Sequence, residues 1–169
     1  GIPAEPLFRS HNLLYRKQGN VEEADRLLRR LRQIYPNDST VQRDYVYRLE
    51  ESYQERRKSG DKEKAVALLR DLVEVSPQNE GYYLDLVNLL LQQGNTEEAI
   101  QTAGVGVSRI PRSSALIIKK ASILAEEARY QEAMAFVKSR MRTNRDGHLV
   151  RFYNLLLAEA ANAARMNDP

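Results

Sequence analysis

The strongest constraint in this sequence is an internal repeat. Three stretches align without gaps: GNVEEADRLLRRLRQIYP at 19–36, GDKEKAVALLRDLVEVSP at 60–77 and GNTEEAIQTAGVGVSRIP at 94–111. Each begins with Gly, has Ala five residues later and ends with Pro. A fourth stretch, 128–145, keeps the alanine but has neither the glycine nor the proline. A chain with such a period folds as an array of similar units that pack on their neighbours.

The pattern inside each repeat is helical. In 21–35 and again in 61–76, apolar residues recur every three or four positions, which places them on one side of a helix. The pairs Gly-Asn at 19–20 and 94–95 suit the turn before a helix, because both residue types tolerate positive φ. The prolines stop the second helix of each pair. The sequence therefore predicts an all-α fold.

The repeated alanines set the period. They are separated by 41, 34 and 34 residues and stand at Ala24, Ala65, Ala99 and Ala133. With its period of 34, turn glycine, small alanine and proline stop, the sequence resembles the tetratricopeptide-repeat family, as a bacterial-type scaffold or a fragment of one. The resemblance implies a single domain, a right-handed α-α superhelix of about four helix-turn-helix repeats. These fall at approximately 5–38, 39–79, 80–113 and 114–147, followed by a long terminal helix at 148–166.

Two segments depart from the regular period. From Pro36 to Gly60 there are 24 residues, against 17 from Pro77 to Gly94, and no glycine or proline lies between 39 and 58. Seven extra residues are about two helical turns, so we predict a helix there that is two turns longer than its counterparts. The terminal helix, HLVRFYNLLLAEAANAARM, carries more apolar residues than one helical face holds. We expect a further repeat or a second copy of the chain to pack on it.

The stretch TAGVGVSRIP, at 102–111, contains two glycines that suggest a phosphate-binding loop or a strand when taken alone. The repeat instead places Gly104 and Gly106 inside the second helix of the third repeat. Gly106 stands where close helix packing requires a small residue, whereas Gly104 has no such reason. Because glycine costs about 1 kcal/mol relative to alanine in a helix, this helix is predicted to be weak.

The sequence carries no recognisable active site. His11 and His148 have no metal-ligand partners at a suitable spacing, and there is no cysteine for disulfide, thiolate or metal chemistry. No nucleophile-elbow, Walker or dinucleotide-binding motif is present. We therefore predict a protein that is not an enzyme and needs no cofactor.

The compartment is left open by the sequence. No apolar run is long enough to cross a membrane, and the initial GIPAEP lacks the features of a signal peptide. Both a cytoplasmic and a bacterial periplasmic location remain open, as does a fragment of a longer, membrane-tethered repeat protein.

The resemblance implies a binding groove lined by the first helix of each repeat, which takes a peptide or a protein partner. The positions carried over are Arg9, Leu13, Arg16, Lys17, Gln54, Arg57, Lys58, Leu84, Asn88, Leu91, Ile118 and Ser122. The groove is expected to be basic at one end and apolar at the other. The basic residues either stabilise the ends of their helices or attract an acidic partner segment. A net charge of only +3 argues against a nucleic-acid partner.

The resemblance also identifies the family's carboxylate clamp, which grips the free C-terminus of chaperone tails. Here Leu13 and Glu51 stand in place of its asparagines, and Gly81 and Asp85 in place of its last two cations. A chaperone tail is therefore disfavoured. Two functions remain, a non-catalytic interaction scaffold and a module that self-associates through its terminal helix.

Overall fold

The computed structural model describes residues 17–166, and within that range every helix or strand is an α-helix, which confirms the all-α prediction. The helices are α1 (Val21–Ile34), α2 (Ser39–Ser59), α3 (Lys62–Val75), α4 (Glu80–Gln92), α5 (Thr96–Arg109), α6 (Ser114–Glu126), α7 (Tyr130–Met141) and α8 (Gly147–Met166). The first helix of the first predicted repeat lies outside the described residues. The long C-terminal helix predicted at 148–166 is α8.

The chain divides into two compact units after Val75. In unit 1, α2 packs on both α1 and α3, around a core that includes Leu28, Leu49 and Leu69. In unit 2, each helix from α4 to α8 packs on the next one along the chain. In addition α6 contacts both α4 and α8, so that the first helices of successive pairs are neighbours.

The helix α2 has the predicted extra length. It has 21 residues, against 13 in each of α4 and α6, which is a difference of rather more than two turns. Its start is fixed by Asp38, whose side chain accepts hydrogen bonds from the amides of Thr40 and Val41 at 2.9 and 3.0 Å. Its end is fixed by Gly60, which has a φ of 75°.

The turn between paired helices requires one residue with positive φ. Gly19, Gly60 and Gly94 take it, with φ between 73° and 78°, and in the fourth repeat Ala128 takes it with φ of 58°. The asparagine that follows the glycine does not share this role: Asn20 has φ of −89°, and its side chain accepts a hydrogen bond from the Glu23 amide at 3.3 Å. Asn95 also has a negative φ, of −86°, and stands at the N-cap of α5 without a side-chain hydrogen bond, so in both turns the positive φ is taken by the glycine alone.

The two glycines of TAGVGVSRIP lie in α5, as the repeat predicts. A Cβ added at Gly106 would lie 3.0 Å from the Tyr83 ring and 3.1 Å from Leu116, so three helices meet too closely there for a side chain. At Gly104 the nearest atom to an added Cβ is the Nζ of Lys120, at 3.1 Å, which is the flexible tip of a long side chain. The steric role is therefore confirmed for Gly106.

Candidate functional site

The predicted binding residues of unit 2 lie at equivalent positions on two neighbouring helices. The helix α4 begins after its N-cap Asn79 and α6 after its N-cap Ser113, 34 residues later. Leu84 therefore corresponds to Ile118 and Asn88 to Ser122, and Leu91 stands one turn further along α4. Asn88 is exposed and the other four side chains are half-buried. Since α4 contacts α6, the structure brings these five residues onto adjacent helices.

The helix α8 continues this series with a register shifted by one residue. Its start follows Asp146, whose Oδ1 accepts a hydrogen bond from the His148 amide at 2.8 Å. Asp146 stands 33 residues after Ser113 rather than 34. Counted from these caps, Leu155 takes the position of Asn88 and Ser122, and its side chain is 52% exposed. A strict 34-residue period does not find Leu155.

Hydrogen bonds among a few polar side chains link the start of α8 to the start of α6. The Ser114 hydroxyl donates to the Asp146 carboxylate, and the side-chain amide of Asn144 donates to the Ser114 hydroxyl at 3.2 Å and to the Arg112 carbonyl at 3.0 Å. The hydrogen bond from Ser114, followed by that from the His148 amide, lowers the pKa of Asp146 below its usual value. The ionised Asp146 carboxylate therefore links the start of α6 to the start of α8.

An open cleft of about 380 Å³ lies between α6 and α8. We call it the α6–α8 cleft, and its lining residues are Ser122, Ala125, Glu126, Tyr130, Phe152, Leu155, Leu156 and Glu159. Ser122 and Ala125 are positions that the family resemblance also carries over. Glu126 and Tyr130 lie at the end of α6 and the start of α7, beyond the carried-over positions. The residues on α8 were missed because the family pattern was not extended to the terminal helix.

The cleft combines apolar surface with acidic groups. Phe152 is half-buried, and Leu155 is largely exposed to solvent. Glu126 and Glu159 make no ion pair within the described part of the chain, and no lysine, arginine or histidine is among the described residues that line the cleft. This surface is suited to an apolar group with a positive charge beside it.

Four of the predicted binding residues of unit 1 lie within the described residues, and all four are charged or polar and exposed. Gln54, Arg57 and Lys58 lie in the last turns of α2, and Lys17 is exposed at the beginning of the described chain. The other three predicted positions, Arg9, Leu13 and Arg16, lie outside the described residues. The structure thus shows a basic end of α2, whose cations also complement the negative end of the helix.

Another arginine of unit 1 has a structural role. Arg48 is only 12% exposed, and it bonds Asp25 of α1 at 2.7 Å and Glu51 of α2 at 2.6 Å. Burial lowers the pKa of Arg48, but the hydrogen bonds that its guanidinium donates to the two carboxylates, together with their charges, outweigh burial, so the pKa is raised overall. The guanidinium stays charged and joins α1 to α2.

Within residues 17–166 there is no group of three or more acidic or histidine side chains placed to hold a metal ion. Within the same residues, no helix has the length and apolar character needed to cross a membrane.

The chain was compared with models of known protein families. Two family models, both described as tetratricopeptide repeat, match residues 13–38 and 56–115. No curated protein sequence matches the chain closely enough to count as a relative.

Several solved structures are similar in fold. A tetratricopeptide repeat protein from Parabacteroides merdae has a TM-score of 0.57 and 13% identity, over 94% of this chain and 60% of its own. The TPR2B domain of yeast Sti1, in complex with pHsp70, has a TM-score of 0.54 and 16% identity, over 70% of this chain and 97% of its own. The TPR2AB domain of yeast Sti1, in complex with pHSP90, has a TM-score of 0.53 and 14% identity, over 91% of this chain and 68% of its own. The chain spans only 60% of the length of the Parabacteroides protein. At these identities the similarity shows the fold, a helical-repeat array.

Proposed function

Because this chain belongs to the tetratricopeptide-repeat family, we propose that it is a non-catalytic scaffold that binds a peptide or protein partner on the first helices of its repeats. The observation that carries the proposal is the series Asn88, Ser122 and Leu155. These residues stand at one equivalent position on α4, α6 and α8, and an open cleft adjoins the last two. Side chains left accessible at the same place in successive repeats form a continuous surface that a partner can cover.

The solved relatives from yeast Sti1 are complexes with pHsp70 and pHSP90, which supports a partner-binding role for the fold. The residues here argue for a different partner. Glu51 is already bound by Arg48 at 2.6 Å, and Gly81 offers no side chain at a clamp position. Neither can grip a terminal carboxylate, so the proposed partner is not a chaperone tail.

The basic end of α2 in unit 1 supports a partner with an acidic segment. Arg57 and Lys58 are exposed, and neither makes an ion pair within the described residues. Exposed cations of this kind increase the rate of association with an acidic surface, and the increase falls with salt.

The proposal is tested by affinity capture from native lysate, followed by mass spectrometry. The test variant combines Asn88→Ala, Leu91→Ala and Ile118→Glu on α4 and α6. A matched control combines Gln101→Ala, Val105→Glu and Ser108→Ala, which change exposed positions on the second helix α5. We expect both variants to keep their helical content and only the first to lose its partner. Undiminished capture by the first variant would show that this surface is not the partner-binding site.

A second candidate function, self-association, is favoured by a specific feature of α8. Its Val150 and Leu157 are 44% and 45% exposed, whereas the equivalent residues of α6, Ile117 and Leu124, are fully buried. The helix α6 has its partner α7 packed on it, but among the described residues no helix follows α8. The uncovered apolar ridge of Val150 and Leu157 can be covered by the same ridge of a second copy.

Sedimentation across a concentration series tests this candidate. We expect a monomer–dimer equilibrium that the double change Val150→Glu and Leu157→Glu shifts to monomer, because a charge at each position opposes burial. A wild-type chain that is monomeric at every concentration rejects self-association and leaves the partner-binding proposal unaffected.

A further inference from the structure

We propose that the α6–α8 cleft binds a partner segment in which a large apolar side chain stands next to a lysine or arginine. This inference rests on the proposed partner-binding function and adds the chemistry that unit 2 selects.

The apolar part of the proposal follows from the exposure of the cleft surface. Leu155 is 52% exposed although it occupies a position that is polar in the two preceding repeats, where Asn88 and Ser122 stand. Phe152 lies beside it on the same cleft wall, half-buried. The facing wall contributes the small side chain of Ala125, which leaves room for an incoming group. Covering this apolar surface with an apolar side chain is favourable, and a cleft of about 380 Å³ has space for one or two.

The basic part of the proposal follows from the two glutamates. Glu126 and Glu159 line the cleft without a cation of their own within the described residues. The nearby acidic residues Glu97 and Glu132 differ in this respect, since Arg129 binds both of them. A partner cation seated in the cleft would lie close to two carboxylates beside apolar surface, and salt would weaken this attraction.

The same charges exclude an acidic segment from this cleft, because like charges brought together there repel. The acidic partner segment inferred for the basic end of α2 therefore cannot be the segment that the α6–α8 cleft takes.

The experiment selects random displayed peptides on the full chain and then measures synthetic versions of the selected peptides by fluorescence anisotropy. We expect the selected peptides to share an apolar residue next to lysine or arginine. Two variants test the site, Leu155→Ala and the pair Glu126→Gln with Glu159→Gln. Each is expected to weaken binding by about tenfold, the effect of losing one well-placed contact. The paired glutamine variant should also reduce the dependence of affinity on salt.

The matched control is the pair Glu74→Gln with Glu127→Gln, which makes the same change in net charge at exposed positions outside the cleft. The control is expected to bind as the wild type does. Equal weakening by the control would show a general charge effect and overturn the inference.

Several other outcomes overturn the inference as well. Acidic selected peptides would contradict it directly, and so would peptides that bind the Glu126 and Glu159 variant unchanged. Peptides that depend on Leu91 and Ile118 but not on the two glutamates would overturn it while leaving the proposed function intact. A chain that selects no peptide and captures no partner from lysate would count against both proposals. If Leu155→Ala changes only the sedimentation behaviour, the cleft takes a second copy and the inference fails.

Discussion

Ala128 stands in a backbone conformation that favours glycine, and its replacement by glycine is expected to stabilise unit 2. The residue has φ of 58°, in the left-handed region, at the place where the other repeats have Gly19, Gly60 and Gly94. The turn around it is well formed: the Ala128 amide donates to the Ala125 carbonyl at 2.9 Å, and the Arg129 amide to the Leu124 carbonyl at 2.8 Å. The strain therefore lies in the Cβ of Ala128 and not in a missing hydrogen bond.

The expected magnitude is the difference between two effects. A left-handed conformation costs a residue with a Cβ about 1–2 kcal/mol. Glycine adds flexibility to the unfolded chain, which opposes folding by about 0.4–1 kcal/mol. Ala128 is exposed, so little packing is lost with its methyl group. Ala128→Gly should therefore raise the free energy of unfolding by about 0.5–1 kcal/mol.

Thermal unfolding followed by circular dichroism measures this change, which corresponds to a rise in Tm of about 1–4 °C for a chain of this size. The reciprocal variant Gly94→Ala is the matched control, because Gly94 makes the equivalent turn with φ of 78°. It should lose about 0.5–1 kcal/mol, since it creates the strain that Ala128→Gly removes and also reduces the flexibility of the unfolded chain. A lower Tm for Ala128→Gly would show that residue 128 is not left-handed and that the turn of the fourth repeat is built differently.

Three further changes test other features of the fold. Gly104→Ala should raise the free energy of unfolding by about 0.5–1 kcal/mol, whereas Gly106→Ala should lower it by about 1–3 kcal/mol through overpacking; urea midpoints that move in the same direction for both would refute this contrast. Arg48→Met should lower the urea midpoint by an amount equivalent to about 1–3 kcal/mol, because two hydrogen-bonded carboxylates lose their cation; an unchanged midpoint would contradict its structural role. The Asp146 carboxylate, whose pKa is lowered in the folded chain, stabilises the fold fully above its ordinary pKa of about 3.9 and less as the pH falls through the lower folded value. The Tm difference between wild type and Asp146→Ala should therefore be full near neutral pH and should narrow in acid, and a difference that is constant with pH would exclude this role.

The fold was predictable because its main determinants are local and repeated. The period fixed by the alanines, the turn glycines and the prolines located the helix pairs, and the extra residues before Gly60 predicted the long α2. The steric role of Gly106 followed from its place in the repeat, although its contacts with Tyr83 and Leu116 come from other helices. Residues that keep the repeat pattern could be placed without coordinates.

One turn residue and the candidate-site residues on α8 were harder to predict, because they depart from the period. Ala128 takes the glycine conformation without being glycine, so its role is visible only in the backbone angle. The residues of α8 were not carried over at all, since the family pattern for a first helix was not applied beyond the fourth repeat. Leu155 and Phe152 were therefore recognised only as part of an unusually apolar helix.

One local change in spacing distinguishes α7 and α8 from the helices of the first three repeats. In the first three repeats the second helix ends ten residues after its alanine, but α7 ends at Met141, eight residues after Ala133, with no proline to follow. The next helix then begins one residue early, and Asp146 caps it while also binding Ser114. Counted from that cap, Leu155 stands at the position that Asn88 and Ser122 hold on α4 and α6, and it lines the α6–α8 cleft. Because the cap at Asp146 sets the register of α8, the residue type at position 155 distinguishes this helix from α4 and α6, and Leu155→Asn restores the residue that α4 carries at this position. If the α6–α8 cleft is the binding site, Leu155→Asn should weaken peptide binding at least as much as Leu155→Ala, while α8 remains helical.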